Sequence, residues 1–441
     1  MINNKIFSFH RHPESKLQLP WNALQVGIFI FPIIPIFGGI SIGFALLVTW
    51  ALKYKTIIRR PQNWGFGIFS LILIITTALA QEKTPAIEGI FNFLPFILLF
   101  CAVDTVMQTP AQLRHLAWIL VIPSIPVVIL GFGQIFLSWT TPPIWQNISG
   151  WALLPGGNPV GRMASLFMYA NILAGYLTIT FILAGGLWLE ELKKHGNILL
   201  HLPTSASPHL CFLTLAVILN FAGLILTNSR NAWAIAIFAC MAYAMYQGWR
   251  ILVTVVAGIV ATILLAAFAP TPIAQILRKV IPSFFWARLN DQMYPNRPVV
   301  LMRATQWDFA WNMAQQRPLT GWGLRNFTPL YQEKMHIWLG HPHNLFLMLS
   351  AEAGIPATLL FISLIAGILM AGFQLLQRSQ CLHQEDKLIL FSYLLVIIAW
   401  VLFNIADVSI FDFRLNALSW LLLGTVSGVV YRYNRVPPKF I

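Results

Sequence analysis

Long apolar runs separated by short polar turns occupy most of this chain. A helix needs about 20 consecutive apolar residues to cross the hydrocarbon core of a membrane. Counted by run length, the pattern predicts about twelve such helices. Their expected spans are 22–36, 37–52, 63–80, 87–107, 113–139, 163–188, 208–226, 229–247, 250–268, 343–373, 388–405 and 413–431. The expected fold class is therefore an all-α polytopic membrane protein.

The first apolar stretch leaves two interpretations open. Residues 21–52 are apolar throughout but are interrupted by Pro32, Pro35 and the pair Gly38 and Gly39. Proline removes a backbone donor and bends or ends a helix, and glycine weakens the helix interior. The stretch is either a tight hairpin of two short helices or a single kinked span.

One hydrophilic segment, residues 269–342, interrupts the apolar pattern. It is too long for a simple connector. Within it, apolar residues alternate with polar ones over 303–315, which predicts an amphipathic helix in a loop that contains short helices. We accordingly divide the chain into residues 1–268 with helices one to nine, the large loop, and residues 343–441 with the last three helices and a tail.

Composition agrees with a membrane bundle. Hydrophobic residues make up 58% and charged residues 10% of the 441 positions, with a mean hydropathy of +0.71. Soluble domains carry about 25% charged residues. The net charge of +14 would suit nucleic acid, but the basic residues are scattered through short loops and form no stripe, so we expect no nucleic-acid partner. The basic surplus instead indicates a membrane topology signal together with an anionic ligand.

The distribution of lysine and arginine predicts an orientation. With the N-terminus in the cytoplasm and twelve alternating spans, cytoplasmic segments hold 16 of these residues. The short outer loops hold four, namely Lys83, Arg162, Arg230 and Arg414, and the large loop holds the other eight. Positive charge concentrates on the cytoplasmic side of short loops, whereas long loops are exempt. Both termini are therefore expected in the cytoplasm, and Arg162, Arg230 and His343 are expected together on the outer side.

The four cysteines predict neither disulfides nor a structural zinc site. Cys101, Cys211 and Cys240 lie inside apolar runs, Cys381 lies in a polar loop, and no two of the four are separated by two residues. Structural zinc sites and disulfide frameworks require clustered or paired cysteines.

Arg162 and Arg230 stand where the topology predicts outer helix ends. An arginine near membrane depth costs about 3 kcal/mol on insertion scales, so a partner is expected. Guanidinium presents a rigid fork of donors that suits phosphate oxygens, and a helix N-terminus adds unpaired N–H groups. A structural alternative stays open for each. Arg162 could be an interfacial charge reaching water, and Arg230 could pair with Asp407, Asp412 or Asp291.

His343 forms a pair with His341 immediately ahead of an apolar run. Pro342 between them suits the first turn of a helix, and spacings of seven and eleven residues would place His343, Ser350 and Gly354 on one helix face. A neutral imidazole can take a proton from a hydroxyl group. The alternative is an interfacial histidine pair. We expect no metal site, because the pair supplies only two ligands and no nearby carboxylate or cysteine cluster completes it.

Three arginines of the large loop, Arg303, Arg317 and Arg325, could extend an anion-binding surface. The glycines at 321 and 323 follow no predicted strand, so they do not indicate a dinucleotide site.

The histidine motif resembles that of the O-antigen ligase and O-antigen polymerase (Wzy-like) superfamily. It consists of His343-Asn344, nine residues, and then Gly354; the position three residues further on, small or aromatic in the family, is Ala357 here. Segments 303–327, 227–230 and 161–162 are similar to the region that the family carries ahead of its histidine and to its two outer arginines. The resemblance is best over about residues 155–360.

The resemblance implies a glycosyltransferase-C-like helical fold in the bacterial inner membrane, with the active site facing the periplasm. It implies a metal-independent, inverting transfer of a glycan from undecaprenyl diphosphate to a hydroxyl of a lipid, a polysaccharide or a protein, without a cofactor. Arg162 and Arg230 would hold the diphosphate, and His343 would deprotonate the acceptor. Further substrate contacts are expected from Arg303, Arg325, His341 and Asn344.

Two other functions remain to be weighed against this one. A transporter of a small anion such as bicarbonate could also use outer basic residues. Transporters usually show broken helices in paired halves with a site near the midplane, whereas here the halves show no repeat and the charges lie at the rim. A structural or assembly scaffold would leave Arg230 with no role beyond an ion pair.

Overall fold

The computed structural model describes residues 11–194, 207–290, 298–378 and 382–435, and these are helical without any strand. In chain order the α-helices of the described residues are α1 (Gln18–Ile30), α2 (Pro35–Ile58), α3 (Pro61–Ala78), α4 (Lys83–Ile90), α5 (Leu94–Val106), α6 (Pro110–Val121), α7 (Ser124–Phe136), α8 (Pro143–Ser149), α9 (Ala170–Lys194), α10 (Pro208–Leu226), α11 (Arg230–Tyr246), α12 (Arg250–Phe268), α13 (Thr271–Arg278), α14 (Ser283–Leu289), α15 (Arg303–Gln316), α16 (Phe327–Met335), α17 (Leu345–Ala353), α18 (Ile355–Gln377), α19 (Gln384–Ile405) and α20 (Phe413–Arg435).

Within the described residues, nine segments are long and apolar enough to cross a membrane. They are α2, α4 with α5, α6 with α7, α9, α10, α12, α18, α19 and α20. The predicted count of twelve is therefore not confirmed. The run at 22–36 forms only the 13 residues of α1, the run at 63–80 forms the 18 residues of α3, and the run at 229–247 forms the 17 residues of α11. These three are not among the nine segments, and α1 and α11 are clearly shorter than the roughly 20 residues that one crossing requires.

The first apolar stretch forms two helices, as the hairpin alternative predicts. Residue Ile30 ends α1, and Pro35 begins α2 as its first residue, where proline costs no hydrogen bond. At Gly38 an added Cβ would lie 2.5 Å from the Cα of Phe31. Glycine therefore allows the backbones to approach closely at the hairpin, as small residues do between membrane helices.

By its internal contacts the chain divides into two units. The larger comprises Met1–Ala236 and Ala310–Ile441, and the smaller is Ile237–Phe309. The smaller unit contains α12, which packs against α13 and α14. The expected short helices of the segment 269–342 are present as α13 to α16. The helix expected over 303–315 is α15, but its apolar and polar residues are not segregated onto two faces as the prediction of an amphipathic helix required.

Cysteine pairing is absent among the cysteines that the structure describes. Cys101, Cys211 and Cys240 are all free; the first is buried and the other two are exposed. The remaining cysteine, Cys381, lies outside the described residues.

The predicted span 343–373 is broken into two helices, α17 and α18. The break is at Gly354, whose φ of +89° is a conformation that side chains rarely adopt. A Cβ there would lie 2.4 Å from the carbonyl oxygen of Leu319, and the next N–H, of Ile355, donates to the Pro318 carbonyl at 2.8 Å. His343 and Gly354 therefore do not share a face of one helix, because a tertiary contact interrupts that helix.

The two parts of the sequence motif pack directly on each other. The backbone N–H of Trp322 donates to the carbonyl of Ala351 at 3.0 Å, and that of Gly323 donates to the carbonyl of Glu352 at 2.8 Å. Glu352 is buried, and its carboxylate accepts from the N–H of Phe327 at 3.2 Å. The turn ahead of α16 thus holds the C-terminal end of α17 through backbone and side-chain hydrogen bonds.

We expect Gly354→Ala to lower the free energy of unfolding by about 1–3 kcal/mol, because the new Cβ would meet the Leu319 carbonyl at a strained φ. The matched control is Gly367→Ala in α18, where an added Cβ meets nothing within 4 Å. Alanine is the better helix former there, so the control should be neutral or slightly stabilising. Thermal unfolding in detergent measures both, and equal melting temperatures for the two variants would contradict the prediction.

Candidate functional site

Arg162 lies in an irregular loop between α8 and α9, and not at a helix N-terminus as expected. The predicted span 163–188 begins with a 3₁₀ turn at Ser165–Phe167 and becomes α-helical only at Ala170. The backbone N–H of Asn158 donates to the Arg162 carbonyl at 3.0 Å, and a Cβ at Gly157, whose φ is +91°, would lie 2.0 Å from that oxygen. The loop turns back on itself at this carbonyl. Only glycine fits at position 157, because a side chain would collide with the carbonyl oxygen and rarely adopts that φ.

The side chain of Arg162 connects two helix ends. Its Nε donates to the carbonyl of Thr227 at 2.8 Å, just after α10, and its Nη2 donates to Oδ1 of Asn171 at 2.5 Å, in the first turn of α9. The arginine is half-buried. Two hydrogen bonds to protein at this depth do not fit the alternative in which Arg162 merely reaches for water.

Asn171 links Arg162 to His343 through hydrogen bonds with Asp407. Its Nδ2 donates to Oδ2 of Asp407 at 2.8 Å, and Oδ1 of Asp407 lies 3.2 Å from Nδ1 of His343. Asp407 is buried and lies in the turn between α19 and α20. The four residues form one hydrogen-bonded chain, Arg162–Asn171–Asp407–His343, which we call the Arg162–His343 chain.

The surroundings of Asp407 keep its carboxylate charged. Burial raises the pKa of this carboxyl. The hydrogen bond from His343, the charges that His341 and His343 carry when protonated, and the Val408 N–H together lower it by more, so the pKa lies below its ordinary value. A charged carboxylate can only accept a hydrogen bond, so the ring nitrogen that faces it must carry a hydrogen. In neutral His343 the hydrogen is therefore assigned to Nδ1. The other ring nitrogen, Nε2, is then the one able to accept a proton.

The backbone around His343 differs from the expected first helical turn. His343 has a φ of +53°, and its N–H donates to Nδ1 of His341 at 3.1 Å. Asn344 is the N-cap of α17, and its Oδ1 accepts from the N–H of Leu347 at 3.0 Å. His343 and Pro342 therefore precede the helix. The structure gives Asn344 a capping role, and its expected contact with substrate stays a prediction.

His341, His343 and Asp407 are close enough to hold a cation. One ligand atom from each lies within 4.8 Å of the others. The expectation that no carboxylate lies near the histidine pair is therefore wrong, because folding brings in Asp407 from 64 residues away. Nδ1 of each histidine is already engaged, in His341 with the His343 N–H and in His343 with the carboxylate.

Arg230 begins α11 at the same end of the larger unit. The Thr227 carbonyl that holds Arg162 lies three residues before it. The next residue, Asn231, donates from Nδ2 to the Phe403 carbonyl of α19 at 2.8 Å, close to the turn that carries Asp407. Arg230 is half-buried at this helix N-terminus, a position that favours anions through unpaired N–H groups.

Two of the three carboxylates considered as partners of Arg230 have other contacts. Asp407 belongs to the Arg162–His343 chain. Asp412 accepts from the N–H of Leu415 at 2.9 Å and lies 3.7 Å from Arg414. The third, Asp291, lies outside the described residues.

The remaining expected substrate residues fall in different places. His341 lies beside His343, with ring centroids 4.4 Å apart, and stacks on Phe411 at 5.8 Å. The guanidinium of Arg325 lies 5.6 Å from the same Phe411 ring, which brings Arg325 to the neighbourhood of the histidines. Arg303 begins α15 and belongs to the smaller unit, so its expected contact with substrate stays a prediction.

Sequence reasoning missed Asp407 as a site residue and considered it only as a partner for Arg230. The available signal is a lone carboxylate directly after an apolar helix, since α19 ends at Ile405. Ionisable residues at such positions are expensive and usually functional.

Comparison with known proteins supports the resemblance. Residues 215–362 match the family model described as Wzy_C, O-antigen ligase. This range includes Arg230 and the histidine motif, whereas Arg162 and Asp407 lie outside it. A search of curated proteins found no match. The match, together with the apolar helices, supports an O-antigen ligase-like membrane enzyme and gives no support to an anion transporter. The chain is thus a multi-pass membrane protein, and the match over residues 215–362 confirms the resemblance to the O-antigen ligase superfamily that its histidine motif predicted.

Proposed function

We propose that this protein transfers a glycan from undecaprenyl diphosphate to a hydroxyl group of a lipid, polysaccharide or protein acceptor. The observation that carries the proposal is the Arg162–His343 chain, in which one run of hydrogen bonds positions both a cation and a base. The match of residues 215–362 supports the reaction class.

His343 acts as the general base in this reaction. Asp407 holds the ring through Nδ1, so Nε2 takes the proton from the acceptor O–H as that oxygen attacks the anomeric carbon. A new C–O bond forms on the side opposite the diphosphate. The C–O bond to the diphosphate breaks, its electron pair leaves with undecaprenyl diphosphate, and the anomeric configuration inverts. A positioned base contributes about 10²–10⁴-fold to such a step.

Arg162 and Arg230 supply the positive charge that the leaving group needs. Negative charge on the diphosphate increases as the C–O bond breaks, and fixed cations stabilise it without reorganisation. The two hydrogen bonds to Thr227 and Asn171 hold the guanidinium of Arg162 in place before substrate binds. Because the diphosphate departs as an anion, no carboxylic acid is required to protonate it.

The reaction site faces the periplasm in this proposal, with both termini in the cytoplasm of a bacterial inner membrane. The support is the lysine and arginine bias along the sequence, because short cytoplasmic loops collect positive charge.

Transfer in proteoliposomes tests the function. Wild-type protein with an undecaprenyl-diphosphate-linked oligosaccharide should release undecaprenyl diphosphate, and His343→Ala should not. The matched control is His383→Ala, an exposed histidine at the start of α19 that caps it with no side-chain hydrogen bond. No release by wild type across a series of lipid, saccharide and peptide acceptors would contradict the proposal.

Removal of divalent cations should leave the transfer rate unchanged. The Nδ1 atom of His343 contacts Oδ1 of Asp407 at 3.2 Å. In the proposed mechanism this contact positions the ring so that Nε2 is the base, and the two residues are not metal ligands. The measurement is the transfer rate with and without excess EDTA. Loss of transfer in EDTA and its recovery with an added divalent cation would instead assign His341, His343 and Asp407 to a metal site.

A further inference from the structure

An open cavity of about 370 Å³ lies next to the histidine pair in the larger unit. Its size is within the range of about 300–1,000 Å³ typical of small-molecule sites. The side chains that matter for its chemistry are Glu88, Arg325, Gln332, Trp338, His341 and Phe411. None of the roles assigned above uses the cavity as a whole.

The charges in the cavity are balanced. Nη1 of Arg325 lies 2.9 Å from Oε2 of Glu88, so each charge is compensated by the other. A phosphate would meet the carboxylate as well as the guanidinium. Together the pair offers donors and acceptors side by side, and Gln332 adds both kinds of group. This arrangement suits neighbouring hydroxyl groups on an uncharged ligand better than an anion.

Aromatic rings provide the apolar part of the cavity. The side chain of Trp338 is 70% exposed, and an added Cβ on Gly340 would lie 3.4 Å from its ring. Phe411 forms another wall, between Arg325 and His341. The negative face of an aromatic ring attracts polarised C–H groups such as those on the flat side of a sugar ring. An exposed aromatic platform beside paired polar groups therefore fits a pyranose.

The cavity also reaches the base. His341 lines it, stacks on Phe411 and lies with its ring centroid 4.4 Å from that of His343. We propose that this cavity binds the sugar ring of the acceptor, whose hydroxyl group then faces His343. The inference rests on the proposed function and narrows it, because the acceptor is then a saccharide and not a protein side chain.

Saturation-transfer NMR with the methyl glycosides of glucose, galactose and mannose tests binding without turnover. At least one glycoside should bind wild type, and Trp338→Ala should weaken that affinity by about tenfold through loss of the platform. The matched control is Trp145→Ala, which removes another exposed tryptophan, in α8 and outside the cavity. The absence of a glycoside signal from wild type would overturn the inference. Equal signals from Trp338→Ala and Trp145→Ala would also overturn it, because that result is expected if Trp338 only anchors the protein at the membrane interface.

A second arm separates the acceptor from the glycan of the donor. In His343→Ala protein, which cannot turn over, saturating undecaprenyl-diphosphate-linked glycan should leave the glycoside signal unchanged. Displacement of the glycoside would assign the cavity to the donor and overturn the acceptor inference. If wild type transfers glycan but Trp338→Ala binds the glycoside as tightly as wild type does, this inference is wrong and the proposed function stands. A wild type that shows Trp338-dependent binding but transfers to no acceptor would count against the proposed function.

Discussion

Replacing His343 with alanine is expected to lower the transfer rate by about 10²–10⁴-fold, the usual contribution of a general base. The side chain is 24% exposed, and of its ring atoms Nδ1 contacts Asp407. Truncation removes the proton acceptor without opening a large core cavity, so the protein should still insert and bind donor. The measurements are release of undecaprenyl diphosphate in proteoliposomes and the melting temperature in detergent. A transfer rate within a few-fold of wild type would remove His343 from the mechanism.

Asp407→Asn should reduce transfer nearly as much as the loss of His343. The asparagine amide can donate to Nδ1, and that contact would favour the tautomer with its proton on Nε2, which cannot act as the base. Asp308→Asn, at an exposed position on α15, is the matched control. An Asp407→Asn variant with the wild-type rate would show that the carboxylate does not position the ring.

The carboxylate of Asp407 is expected to stabilise the folded protein at neutral pH and to lose that effect in acid. Its pKa is lower in the folded protein than in the unfolded chain, so the carboxylate stabilises the fold above its ordinary pKa. That contribution is lost as the pH falls through the lower, folded pKa. The melting-temperature difference between wild type and Asp407→Asn should therefore be full at neutral pH and shrink only in strong acid. A difference that shrinks already between pH 7 and pH 5 would contradict the lowered pKa.

Replacing either site arginine with lysine is expected to lower the transfer rate by about 10²–10³-fold, the effect of losing one charge-stabilising donor. For Arg162 the reason is geometric: Nε and Nη2 bind the Thr227 carbonyl and Asn171 at once, and a single ammonium cannot span both. For Arg230 the expected loss is that of a bidentate contact with the diphosphate.

The control for both arginine variants is Arg59→Lys, at an exposed position after α2. It should transfer at the wild-type rate. The two site variants should differ in one respect: Arg162→Lys should also loosen Asn171 and with it the position of His343, which Arg230→Lys should leave in place. Full activity of Arg230→Lys would reduce its role to that of a simple charge.

Local sequence predicted several helices closely. The predicted spans 208–226 and 250–268 coincide with α10 and α12, whose ends are marked by a proline or by polar residues beside long apolar runs. The predictions at 163–188 and 343–373 failed because contacts from outside the segment end those helices. At Gly354 the interrupting group is the carbonyl of Leu319, which no pattern inside the apolar run reveals.

Apolar run length alone predicted a helical membrane protein, because it is a local property of the chain. The cost of placing arginine near a membrane is local too, so the sequence was enough to single out Arg162 and Arg230, and the histidine motif singled out His343. The connection between Arg162 and His343 could not be predicted in this way. Asp407 is 64 residues from His343 in sequence, and Asn171 and Asp407 meet only because the start of α9 packs against the end of α19. Hydrogen bonds between distant segments depend on helix packing, which the apolar pattern of each helix does not specify.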